Sequence, residues 1–118
     1  MPIVLIQHKN GRGLNEVAEE LSKEFPAIVA PALSVPGGEG ELRFDDIEVW
    51  VTEGSTADVN TKDLEIIIWA HEYPERKANL EERKDIIVKD VRTFLADYDR
   101  NVTGFVWILL QPTAFGKL

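Results

Sequence analysis

Proline at position 2, heading the apolar run Ile3-Val4-Leu5-Ile6 and the pair Gln7-His8, carries the most distinctive chemistry in this sequence. Once Met1 is removed, Pro2 presents a secondary amine at the end of a buried strand. An α-amino group titrates at about 7.7–8.0, and desolvation and nearby cations push it lower, so such an amine can take and return protons at neutral pH. Proline at the first position of a strand also has a purely structural use, because its missing N–H is not needed there. Two histidines, His8 and His71, each close an apolar run, and each is followed by a turn carrying an arginine, Arg12 and Arg76. Either histidine can orient a substrate or serve as an ordinary polar group at a strand end. No metal site is expected, because two histidines among scattered carboxylates show no ligand spacing. No serine sits in a recognisable nucleophile turn, and the absence of cysteine removes thiolate chemistry.

The elements that must position these groups belong to a single domain over residues 1–118. The chain is 44% hydrophobic and 29% charged, in the ordinary range for a globular protein, with a formal charge of −8. That acidity repels phosphate backbones and anionic lipid, so neither nucleic acid nor membrane is an expected partner. No apolar run is long enough to span a bilayer, and no leader pattern opens the chain; a cytoplasmic protein is the expectation.

Ile3 to Gln7 reads as a strand, followed by the turn Lys9-Asn10-Gly11-Arg12-Gly13. Leu14, Val17, Ala18, Leu21 and Phe25 recur at helical spacing, with glutamates on the other face. Pro26 is expected to end or kink that helix, with a further turn or two from Ala27 to Leu33 and a loop at Pro36 to Gly40. Asp45 to Glu53 and Leu64 to Ala70 read as strands, with a polar connector at 55–63. A helix follows through Leu80, Ile87, Val91, Phe94, Leu95 and Tyr98, with Asn79 as its N-cap and Glu81-Glu82 in its first turn. A turn at Asp99-Arg100-Asn101 leads to a last strand, Val102 to Leu110, and an irregular tail, Gln111 to Leu118. The order strand, helix, strand thus occurs twice, over about 2–54 and 64–111. Val49-Trp50-Val51 echoes Val106-Trp107-Ile108, as His8 and Arg12 echo His71 and Arg76.

The expected fold is α+β: two βαβ units forming a four-stranded mixed sheet with two helices on one face. Ile3 to Ile6, Ile66 to Trp69 and Phe105 to Leu110 are apolar without alternation, which calls for cover on both faces of the sheet. Two helices cover only one. At about 25 cal/mol per Å² of apolar surface, a wet second face forfeits several kcal/mol, comparable with the stability of a domain, so that face is expected to bury against other subunits. A ferredoxin-like sandwich shares the element order but pairs its strands differently; parallel pairing of the first two strands separates the alternatives.

With its proline-led strand Pro2-Ile3-Val4-Leu5-Ile6, the turn Gly11-Arg12 and the strand Asp46-Ile47-Glu48-Val49 with Val51-Thr52-Glu53, the chain resembles the tautomerase superfamily, whose short members include 4-oxalocrotonate tautomerase (4-OT). Its double length is similar to that of fused members, such as the 5-carboxymethyl-2-hydroxymuconate isomerase, 3-chloroacrylic acid dehalogenase and malonate semialdehyde decarboxylase groups. The resemblance implies a trimer without cofactor, in which Pro2 is the general base and cationic residues beside it bind the substrate carboxylate. By position these are Arg12 and Arg76, the latter placed with a one-residue slip from Glu75. Trp107 falls where fused members carry a pocket aromatic, His71 lies near Arg76, and Phe115 is placed either to line a neighbouring subunit's pocket or to pin the tail. Glu48 stands where the short tautomerases have a strand arginine, and Trp107 has no phenol to give a proton.

The function this implies is keto-enol tautomerisation of a small carboxylate-bearing 2-oxo or enol acid. The alternatives are proline-dependent hydration, dehalogenation or decarboxylation of a three-carbon acid, and an oligomeric binding module without turnover.

Overall fold

In a computed structural model, which describes residues 2–98 and 101–118, the chain forms one four-stranded sheet. Strands β1 (Ile3–His8), β2 (Glu48–Glu53), β3 (Leu64–His71) and β4 (Gly104–Gln111) lie in the order β2-β1-β3-β4. β1 pairs parallel with β2, β3 parallel with β4, and the two halves join antiparallel through β1 and β3, with Ile3 opposite Trp69 and His8 opposite Leu64. Parallel pairing within each half is the tautomerase arrangement and excludes the ferredoxin-like one.

One face of the sheet is covered by α1 (Asn15–Leu33) and by α3 (Leu80–Ala96), which follows the single turn of α2 (Pro74–Ala78). Val4, Ile6, Leu64, Ile66, Ile68 and Ala70 alternate toward that face and pack with Leu21, Phe25, Val29, Leu33, Ile87 and Val91. The opposite face has no cover among the described residues. Trp50 is 58% exposed and Trp107 50%, and Ile3 and Phe105 are exposed beside them. No helix among the described residues is long and apolar enough to cross a membrane.

Four local expectations are corrected. α1 runs unbroken through Pro26 and Pro31. An internal proline costs a helix about 3 kcal/mol, but Ile28, Val29 and Leu33 continue the buried stripe past it, and each buried side chain of this kind contributes about 1.5–3 kcal/mol. Residues 44–46 form a 3-10 turn, so β2 starts at Glu48 instead of Asp45. Asn79 does stand at the start of α3 but does not cap it; its Oδ1 accepts from Arg83 Nε at 2.6 Å. β4 begins at Gly104, two residues later than expected, and the expected turn at Asp99 and Arg100 lies outside the described residues.

Candidate active site at the Pro2 end of the sheet

Pro2 is buried, and its carbonyl accepts the Glu48 N–H at 3.2 Å. Continuing the strand registers by one residue sets Pro2 between Ile47 and Ala70, both buried, with His71 next after Ala70 on β3. The start of β1 and the end of β3 therefore share one end of the sheet.

Arg76 is brought to the same end by α2, whose first residue, Pro74, suits a helix start. Its side chain is buried, with only 1% of the residue exposed. The guanidinium donates from Nε to the Leu33 carbonyl at 2.8 Å, from Nη1 to the His71 carbonyl at 2.9 Å and from Nη2 to the Gly40 carbonyl at 3.5 Å. It also lies 4.9 Å from the centroid of the Tyr73 ring, within cation-π range. No carboxylate pairs with it among the described residues. Burial, together with the charge of nearby Arg83, works against its own charge, yet a guanidinium remains protonated, so an uncompensated cation stands at this end.

Arg83 completes the arrangement. From α3 its Nη1 donates to the carbonyls of Ala32 at 3.2 Å and Ser34 at 3.1 Å. The last carbonyls of α1, which has no basic residue in its own final turn, are thus met by two arginines of the second half. Arg83 was not among the residues expected to matter, although its spacing of seven from Arg76 was visible in the sequence.

His71 closes the site on the exposed side. Its Nδ1 lies 3.2 Å from the Thr113 amide nitrogen, which donates to it, and 2.9 Å from Thr113 Oγ1. The Tyr73 ring meets the imidazole edge-on, with centroids 4.7 Å apart. Thr113 and Tyr73 carried no sequence signal beyond their neighbouring prolines.

The other expected site residues stand elsewhere in the chain. Arg12 is at the opposite end of the sheet, about 20 Å away by the length of β1, with its Nε 3.0 Å from Asp63 Oδ1. Asp63 is itself buried: desolvation raises its pKa, but the Thr103 amide, Arg12 and the Thr103 hydroxyl together hold it below the usual carboxylate range. Trp107 pairs with Ile67 in mid-sheet and donates its indole N–H to Glu65 Oε2 at 3.0 Å. That position is about 10 Å along the strands from the row of Pro2 and two strands across. It lines a 330 Å³ hollow with Gln7, Lys62 and Glu65 instead. Phe115, 79% exposed, lies two residues beyond Thr113 on the tail.

No family model and no curated protein sequence matches the chain. Solved structures do. A structure of Pt0534 inactivated by 2-oxo-3-pentynoate superimposes with a TM-score of 0.62 at 15% identity, covering 98% of this chain and 90% of that one. A probable enzyme from the thermophilic fungus Aspergillus fumigatus gives 0.61 at 14% identity, covering 100% and 80%. A fused 4-OT wild-type symmetric trimer gives 0.52 at 15% identity, covering 93% and 85%. The chain shares the fold of these structures, a fused 4-OT among them.

Proposed function

We propose that this chain is a homotrimeric, cofactor-independent tautomerase in which the Pro2 amine moves a proton on a small carboxylate-bearing 2-oxo or enol acid. The observation that carries this reading is the convergence of Pro2, His71 and an unneutralised Arg76 at one end of the sheet in a chain of net charge −8. A cation there favours the neutral amine over the ammonium and attracts an anionic substrate. In ketonisation, Pro2 removes the enol hydroxyl proton and its conjugate ammonium returns a proton to carbon, with no other reactant. The reading requires loss of Met1, since an amide-bonded proline nitrogen has no basic lone pair.

Trimer formation accounts for the open face, where Ile3, Trp50, Phe105 and Trp107 are exposed. The symmetric trimer formed by the fused 4-OT neighbour supports that number. Within such an assembly Arg12 and Trp107 can join a Pro2 site only from an adjoining subunit.

The test has three parts: intact mass of the purified protein, ketonisation of 2-hydroxymuconate and phenylenolpyruvate by wild type and Pro2→Ala, and incubation with 2-oxo-3-pentynoate, which inactivates the neighbour Pt0534. The reading expects a mass lacking methionine, activity lost in the variant and a covalent adduct on the Pro2 peptide. Equal rates for both proteins, or a retained Met1, overturn it.

A further inference from the structure

The Thr113 contact determines more than the path of the tail. A backbone N–H only donates, so the His71 Nδ1 it meets at 3.2 Å must present a lone pair. The Thr113 hydroxyl, 2.9 Å from the same nitrogen, then donates as well. Two donors on Nδ1 place the ring proton on Nε2, and Nε2 has no partner among the described residues. The Tyr73 ring against the imidazole and the Arg76 Nη1 bond to the His71 carbonyl hold the residue from two further sides. The result is a fixed, unspent N–H donor at the end of β3. Ala70, one residue before His71, faces Pro2 in the continued register, and facing Cα atoms in an antiparallel pair are roughly 4.5–5.5 Å apart, so this donor is rooted on the residue next to the one facing Pro2.

We infer that His71 is the electrophile of the Pro2 site: its Nε2–H donates to the substrate oxygen on which enolate charge grows, and Thr113, through its amide, is the positioning residue that sets the tautomer. The proton stays on Nε2 throughout; Pro2 performs the transfer, so no further acid or base enters the reaction. A neutral imidazole suits this role because it stabilises the developing oxyanion without giving up its proton. The assignment relieves Arg76 of direct contact with that oxygen. Its Nε, Nη1 and Nη2 are already aimed at three carbonyls, so it acts through charge and by holding the His71 main chain. This inference rests on the proline reading, and the experiment separates the two.

In ¹⁵N-histidine-labelled wild type, two-bond ¹H-¹⁵N spectra are expected to show His71 unprotonated at Nδ1 and protonated at Nε2; the reverse tautomer overturns the inference without any kinetics. Thr113→Pro removes the amide donor and is expected to yield a tautomer mixture and about a tenfold lower kcat at little-changed KM, whereas Thr113→Ala, which keeps the N–H, retains the wild-type tautomer. His71→Ala is expected to lose about a hundredfold in kcat, in line with removal of one oxyanion donor, and His71→Gln, which restores an N–H, to recover part of it. Should His71→Ala keep the wild-type kcat while Pro2→Ala is inactive, the His71 role fails and the proline reading stands. Should Pro2→Ala be fully active, the proline reading itself fails.

Discussion

Arg76 donates to the Leu33 carbonyl at 2.8 Å across 43 positions of sequence, so a residue of the second half secures the last turn of the first half's long helix. The same guanidinium reaches Gly40 and His71, making it the joint of α1, the following loop and β3.

Truncation of that joint takes their side-chain donor from the Leu33 and His71 carbonyls, while Gly40 keeps the Val35 N–H at 2.8 Å. A buried group left unsatisfied costs about 1–3 kcal/mol. Arg76→Ala is expected to lower unfolding free energy by about 3 kcal/mol, and Arg76→Lys by less, since an ammonium cannot span the same fork. Urea denaturation followed by circular dichroism measures both; identical midpoints for wild type and Arg76→Ala contradict the assignment.

Asp63 makes stability depend on pH. Its folded-state pKa lies below its unfolded value, because the Thr103 amide, Arg12 and the Thr103 hydroxyl outweigh burial. Such a carboxylate contributes stability that is fully present above the unfolded value and lost as pH falls from about 4 toward the lower folded value. Asp63→Asn is expected to lower stability at pH 7 by about 1–3 kcal/mol and to flatten the stability profile below pH 4. An unchanged acid limb in the variant assigns the acid sensitivity to other carboxylates.

Gly104 pairs with Leu64 where β4 begins, and a Cβ at this position would run into the Leu64 carbonyl oxygen. That obstacle is backbone in a ladder and has little freedom to move. Gly104→Ala is therefore expected to destabilise the fold by about 1–3 kcal/mol, whereas Gly116→Ala, with open space around it, is expected to leave the melting temperature in place.

On the open face, a charge should act on assembly before it acts on folding. Trp50→Glu replaces a half-exposed indole, so the isolated chain loses little core, while a trimer burying that position acquires an unpaired carboxylate. Light scattering at micromolar concentration is expected to report a trimer for wild type and a monomer for the variant. A wild-type monomer removes the proposed assembly.

The fold was legible because the strands Ile3 to Ile6, Ile66 to Trp69 and Phe105 to Leu110 are continuously apolar and the helices between them periodic; these patterns determine element order, sheet cover and the existence of an uncovered face. Pro26 misled because a local rule about helix interiors was overridden by burial of Ile28, Val29 and Leu33. At the candidate site, residue types were legible and partnerships were not. Arg12 and Arg76 look alike in sequence, each following a strand that ends in histidine. Only the antiparallel joining of β1 to β3 sends them to opposite ends of the sheet. Likewise, the tie between His71 and Thr113 spans 42 positions, and no periodicity reports a contact of that kind.

That antiparallel joining gives the chain two ends of matching plan, and the two halves have filled them differently. Pro2 precedes β1 as Asp63 precedes β3, and each lies at the end that also receives the arginine following the other strand. At one end Asp63 neutralises Arg12 in an ion pair; at the other a residue without charge on its side chain leaves Arg76 uncompensated. The two ends thus differ in charge: calorimetric titration with an anionic substrate analogue is expected to saturate at one ligand per chain, not two.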